Sequence, residues 1–232
     1  MSGLPAGPDG LDALLKARRH PFAAVVIGGS AGAWDAVASL LAELPGYFPL
    51  PVAVVLHVHP EQEDHFAASF GRQCALRVKQ ARDKDALAPG EVVFAPPDYH
   101  LLIEWDRSCA LSTDAKVAFS RPSIDVLFES AAAVYGPGLA AILLSGASRD
   151  GTAGISRINE LGGLTVVQDP KTAEYPLMPL SALENAAPAL ALSIEEIAAL
   201  LRRLAAGAQA AAPPCPGTQD GCPLLAPDRK HP

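Results

Sequence analysis

The chain has 232 residues, of which 50% are hydrophobic and only 6% aromatic. That is enough for one sizeable α/β domain with loose ends and too little for two comfortable ones. The formal charge of -7 repels phosphate backbones and argues against nucleic acid as a partner. No apolar run reaches the ~20 residues that span a bilayer, and the first residues lack the charged-then-apolar order of a secretion signal.

Residues 1–21 read as a tail with a helical turn or two. Residues 22–28, FAAVVIG, form a continuous apolar run ending in glycines, the pattern of a central parallel strand. Residues 33–44 carry Trp34, Val37, Leu40 and Leu41 near helical spacing. Residues 51–58, PVAVVLHV, predict a second strand, and residues 60–71 open with Pro and acids as a helix does. Four short strand-like pieces follow at 91–95, 100–105, 109–112 and 117–120, with a Pro96-Pro97-Asp98 turn among them. Together they predict a β-ribbon inserted in the framework. Residues 123–135 are helical, with Ser123 as N-cap or first-turn residue and Asp125 near the positive end of the helix dipole. Residues 139–144 form a buried strand, 151–161 a helix and 164–168 a last parallel strand. Residues 178–185 and 193–206 are terminal helices, and 207–232 read as a disordered Ala/Pro/Gly-rich tail. The alternation predicts an α/β fold: a doubly wound, mostly parallel sheet with helices on both faces and an inserted antiparallel β-ribbon, occupying residues 22–206. Cys74, Cys109, Cys215 and Cys222 are scattered and form no zinc-like quartet, which suits a reduced, cytoplasmic setting without a metal.

Gly28-Gly29-Ser30-Ala31-Gly32 has the spacing G-x-S-x-G. A nucleophile projected from a sharp strand-to-helix turn needs small neighbours, and the helix that follows aims its N–H groups at the same point. The same turn could cradle a phosphate or be purely structural. His57 ends the second strand, where its imidazole can emerge at the same sheet edge as Ser30 and act as general base. His59 is its local rival, but it abuts Pro60 and already enters the loop. Asp150 follows a third strand, where it can orient the histidine or simply cap a helix.

GGSAGA, VVLHVHP, FAPPDYHLLIE, RPSIDVLFES, LLSGASRDGTAG and VVQDPKTAEYPLMP, in that order, resemble the catalytic domain of the CheB chemotaxis methylesterases. The likeness covers residues 22–183. It implies a Ser-His-Asp triad of Ser30, His57 and Asp150, and an oxyanion hole from the backbone N–H groups of Ala31 and Ala147. The family usually carries Gly-Met-Gly where this chain has Gly146-Ala147-Ser148; a backbone donor survives the change from Met to Ala. The resemblance implies demethylation of glutamate γ-methyl esters on a chemotaxis-type receptor, with glutamine deamidation as a side activity and no cofactor. CheB proteins typically carry a receiver domain, and only about twenty residues precede residue 22 here, far below the ~100 such a domain needs. The chain therefore reads as a stand-alone module, controlled by a separate regulatory protein or always on. Two rivals are a non-catalytic chemosensory binding module and a nucleotide-binding domain of the same fold. Asp98, His100, Arg121 and Asp125 border the cleft in this reading, with cap and strand roles favoured for Asp125 and His100. Gln168 and Asp169 brace loops near residues 176–179, and Trp34 packs in the core.

Overall fold

The computed structural model describes residues 13, 15–57, 69–186 and 189–211. Nine strands occur among them: β1 (Ala24–Gly29), β2 (Val52–Leu56), β3 (Arg77–Gln80), β4 (Glu91–Phe94), β5 (His100–Ile103), β6 (Cys109–Ser112), β7 (Leu139–Leu143), β8 (Leu164–Gln168) and β9 (Leu190–Leu192). The main helices are α1 (Trp34–Ala42), α2 (Ile124–Tyr135), α3 (Thr152–Glu160), α4 (Leu177–Asn185) and α5 (Ile194–Ala211).

Seven strands form one sheet in the order β3-β4-β2-β1-β7-β8-β9. Every pairing in it is parallel. β1, β2 and β7 are buried along their whole length, which is why they read as unbroken apolar runs rather than alternating ones. Val25, Ile27, Val54 and Ile142 pack on one face with residues of α1 and α5. Ala24, Val26, Val55 and Leu143 pack on the other with α2, α3 and α4. From β1 the chain winds first to β2 on one side and later to β7 on the other, so the strand order reverses around β1. A crevice at the carboxyl ends of such strands is where doubly wound sheets hold their sites.

Several expectations need correction. The ribbon consists only of β5 and β6. Glu91–Phe94 is a strand of the main sheet, paired with β2 and β3; a short apolar run looks the same in either place. Residues 117 and 120 form an isolated bridge. Both edge strands escape the sequence pattern, since β3 is RVKQ and β9 has only three residues; edges are kept short or charged to discourage further pairing. The helix expected over residues 60–71 lies largely outside the described residues. α5 continues to Ala211, so residues 207–211 are helical; 212–232 lie outside the described residues, as do Cys215 and Cys222. Residues before β1 are fastened to the domain: the Arg18 guanidinium donates to the carbonyl oxygens of Pro137 and Gly162 and lies over the Phe22 ring. No described helix is long and apolar enough to cross a membrane.

α2 and α3 pack closely because Gly154 lets them. A Cβ there would overlap the Cβ of Phe128. Helix propensity alone predicts a gain of about 1 kcal/mol for Gly154→Ala, but overpacking against a backbone-proximal atom costs about 1–3 kcal/mol. Urea denaturation should therefore show Gly154→Ala to be less stable than wild type.

Candidate active site

The turn after β1 is tight enough to dictate its residues. A Cβ at Gly28 would overlap Ile124, and one at Gly29 would come within 2.5 Å of the Ala33 Cβ. Gly32 has φ +72°, and its added Cβ would press on Glu174 and Ser145. The Ser30 amide donates to the Ser145 carbonyl at 2.9 Å, tying the turn to the loop after β7. This posture presents the Ser30 hydroxyl at the carboxyl edge of the sheet.

His57 follows β2 directly. Its amide donates to the Gly29 carbonyl at 3.1 Å, continuing the parallel ladder by one more bond. The Nδ1 atom lies 3.2 Å from Ser30 Oγ, and Nε2 lies 2.8 Å from Asp150 Oδ2. The side chain of His57 is 14% exposed and that of Asp150 is fully buried. With the carboxylate accepting at Nε2, the ring proton belongs there, and Nδ1 is left as an acceptor for the serine hydroxyl. A second hydroxyl, Ser120 Oγ, stands 3.4 Å from the same Nδ1.

Asp150 is held from several sides. Its Oδ1 accepts from Ser123 Oγ at 2.9 Å and from the amides of Asp125 and Gly151 at 3.0 Å. Its Oδ2 accepts from the Ile124 amide at 2.8 Å as well as from His57. Asp150 thus caps a helix, but α2 rather than the α3 it precedes in sequence. Burial pushes its carboxyl up; the hydrogen bond from His57 and those from the Asp125 and Ile124 amides outweigh this and hold it below the ordinary carboxylate range. Asp125 goes the other way. Its Oδ1 accepts the Gly154 amide at 2.8 Å, so the two acids cap each other's helices. Burial, together with the adjacent Asp150 charge, pushes Asp125 up to about 7 despite that amide bond.

The loop after β7 is equally tied down. The Ser145 amide donates to Gln168 Oε1 at 2.9 Å, and Ser145 Oγ donates to the Ala31 carbonyl at 2.8 Å. The Tyr175 amide donates back to Ser145 Oγ, and the Gly146 amide to the Tyr175 carbonyl, both at 2.9 Å. Ser30, Ser145 and Gly146 therefore have their N–H groups committed. The amides of Ala31 and Ala147 make no hydrogen bond to a described residue. Ser148 stands outside the left-handed region, so the loop does not demand a glycine there.

The structure thus brings Ser30, His57 and Asp150 into one hydrogen-bonded run, with no partner for the Ala31 and Ala147 amides among the described residues. His59 lies outside the described residues. His100 is buried, accepting the Ser123 amide at Nδ1 and reaching the Ala115 carbonyl with Nε2, both at 3.2 Å. Arg121 donates to Asp98 and to the carbonyls of Thr113 and Asp114. These are braces of the loop ahead of α2. Ser123 occupies the N-cap position but makes no side-chain cap bond; its hydroxyl goes to Asp150 instead. Gln168 braces Ser145 and, at 3.2 Å, the Thr172 carbonyl rather than residues 176–179. Trp34 is not core: it is 40% exposed and lies against Phe70, ring centroids 4.5 Å apart. The roles of Ser120 and Ser145 go unread in the sequence, where each is one more small polar residue near a strand or helix end.

With this geometry in view, likeness to known proteins is informative. A family profile described as CheB methylesterase matches residues 25–201. A protein of Leptospira interrogans that carries protein-glutamate methylesterase/protein-glutamine glutaminase in its name is 44% identical over 183 residues, covering 79% of this chain and 95% of that protein. Protein-glutamate methylesterase/protein-glutamine glutaminase 2 of Pseudomonas aeruginosa is 36% identical over 207 residues, covering 87% of this chain and 57% of that one. The crystal structure of the Thermotoga maritima CheB methylesterase catalytic domain superposes with a TM-score of 0.76 at 30% identity, covering 80% of this chain and all of that one.

The opposed shifts of the two acids make stability depend on pH in a testable way. Asp150, depressed on folding, contributes stability above about pH 4 that is lost as pH falls through its folded value. Asp125, raised on folding, holds a proton that the unfolded chain releases, so its contribution declines as pH rises from about 4 towards about 7. Asp125→Asn keeps an acceptor for Gly154 and removes that decline. Its thermal stability relative to wild type should be higher at pH 8 than at pH 5; an equal difference at both would refute the account.

Proposed function

The chain belongs to the CheB methylesterase family, and we propose that Ser30, His57 and Asp150 are the residues with which it hydrolyses glutamate γ-methyl esters on a chemotaxis-type receptor. The observation that carries this is the unbroken contact from Ser30 Oγ to His57 Nδ1 and from His57 Nε2 to Asp150.

In the proposed reaction the Ser30 hydroxyl attacks the ester carbonyl while Nδ1 of His57 takes its proton. Asp150 keeps the other ring proton on Nε2 and stabilises the imidazolium that forms. The Ala31 and Ala147 amides receive the developing oxyanion, each such donor being worth about 3 kcal/mol of barrier. The imidazolium then protonates the departing methoxide, methanol leaves, and an acyl-enzyme remains on Ser30. A water enters, gives its proton to Nδ1 and attacks the same carbonyl, releasing a glutamate side chain and restoring the serine. An amide in place of the ester follows the same course with ammonia leaving, in keeping with the glutaminase half of the relatives' names. Control by a separate regulatory protein and a cytoplasmic setting, where such receptor segments lie, belong to the same proposal. Equal turnover with and without each candidate regulator would remove the former.

Methanol release from a methylated receptor fragment tests the reading directly. Ser30→Ala and His57→Ala should each lower turnover by roughly 10⁴-fold or more. A fluorophosphonate should label wild type and leave Ser30→Ala unlabelled. Neither release nor labelling in wild type would leave a non-catalytic binding module as the better description.

A further inference from the structure

The loop ahead of α2 ends in a feature that the hydrolytic machinery does not use. The amide of Val117 donates to the Ser120 carbonyl and the Ser120 amide returns to the Val117 carbonyl, at 3.2 and 2.8 Å. The chain therefore reverses over just two residues, Ala118 and Phe119. Both have positive φ, 48° and 66°. Two-residue reversals of this kind favour Asn-Gly, because other side chains are strained with φ above zero. Here the two places are taken by Ala and Phe. The strain secures no core packing either, since Phe119 is 97% exposed. Strained backbone that persists without a packing reward is concentrated at functional sites.

The turn's position gives the strain a purpose. Ser120, the next residue, has its hydroxyl 3.4 Å from His57 Nδ1. Consecutive Cα atoms are about 3.8 Å apart, so the exposed Phe119 side chain springs from the backbone immediately beside the residue that touches His57. The base of the loop is tied down: Arg121 clasps the carbonyls of Thr113 and Asp114, and His100 contacts that of Ala115. Tyr175 and Leu177 are likewise 42% and 44% exposed, in the segment whose Tyr175 carbonyl accepts the Gly146 amide. An esterified glutamate side chain alone offers little to recognise. A preorganised aromatic ring at the rim adds apolar contact area at little entropic cost.

We propose that Phe119 is a specificity-determining residue: its ring, held out by the strained 117–120 turn, seats on an apolar side chain of the receptor helix one or two turns from the esterified glutamate. The inference rests on the methylesterase reading above. Such a contact helps bind a protein substrate and is absent for a small ester that occupies only the Ser30 cleft.

The test compares wild type, Phe119→Ala and Phe119→Leu on a methylated receptor fragment, by methanol release, and on p-nitrophenyl acetate. Phe119→Ala should lose about tenfold in kcat/KM on the fragment, chiefly through KM, while its p-nitrophenyl acetate hydrolysis changes less than twofold. Phe119→Leu should recover most of the loss. The double variant Ala118→Asn, Phe119→Gly should melt about 2–4 °C higher and be as poor on the fragment as Phe119→Ala. Unchanged kcat/KM of Phe119→Ala on the fragment overturns the inference alone. Equal losses on both substrates also overturn it, since they would trace to a disturbed His57. Absence of wild-type methanol release with p-nitrophenyl acetate still cleaved would instead defeat the methylesterase reading, and the inference with it.

Discussion

The Asp150 carboxylate has no exposed surface, yet it is held in its charged form by the amino end of a helix turned onto it. Taking such an ion out of water costs several kcal/mol. Each hydrogen bond to a charged group returns about 1.5–3 kcal/mol, and here Ser123, Ile124, Asp125, Gly151 and His57 all supply one. The arrangement serves the helix as much as the acid, because the first amides of α2 would otherwise lack partners. The imidazole is thereby oriented by a group that the fold itself cannot spare. Asp125 completes the exchange by accepting from Gly154 in α3, so the two helices that meet on one face of the sheet are joined through their acids.

How the other half of the site is built follows a similar logic. Ser145 accepts the Ser30 amide on its carbonyl, donates its hydroxyl to Ala31 and takes the Tyr175 amide in return. Gln168, buried at the end of β8, fixes the Ser145 amide. The Ser30 turn and the loop with Ala147 are therefore one hydrogen-bonded unit. Donors fixed before substrate arrives need no reorganisation when charge develops, which is what the proposed reaction asks of the Ala31 and Ala147 amides.

Much of this was legible in the residues alone. The three central strands announce themselves as apolar runs; Ser30 and His57 directly follow two of them, and Asp150 lies in the loop after the third. What was not legible depends on partners distant in sequence. Asp150 looks like a cap for the helix that follows it, and only the packing of α2 beside α3 reveals which helix it caps. Ser123 has the residue type and place of an N-cap, but a nearby carboxylate claims its hydroxyl. Trp34 has helical core spacing, yet its position at the helix start leaves it partly in solvent against Phe70. Edge strands β3 and β9 carry weak signals because edges are under pressure not to look like strands. The positive φ values at Ala118 and Phe119 contradict what those residue types prefer, so no propensity could have pointed to that turn.

Arg18 sets where the polypeptide enters this arrangement. Its guanidinium grips the carbonyls of Pro137 and Gly162, just ahead of β7 and β8, at the edge of the sheet opposite the one where Ser30, His57 and Asp150 meet. Anything tethered ahead of Arg18 starts from the side opposite the cleft. β1 is 6 residues long, and at about 3.3 Å per residue it separates the two sides by roughly 20 Å. A segment tethered there has to run at least that far round the domain before it can touch the cleft, which about six extended residues can span.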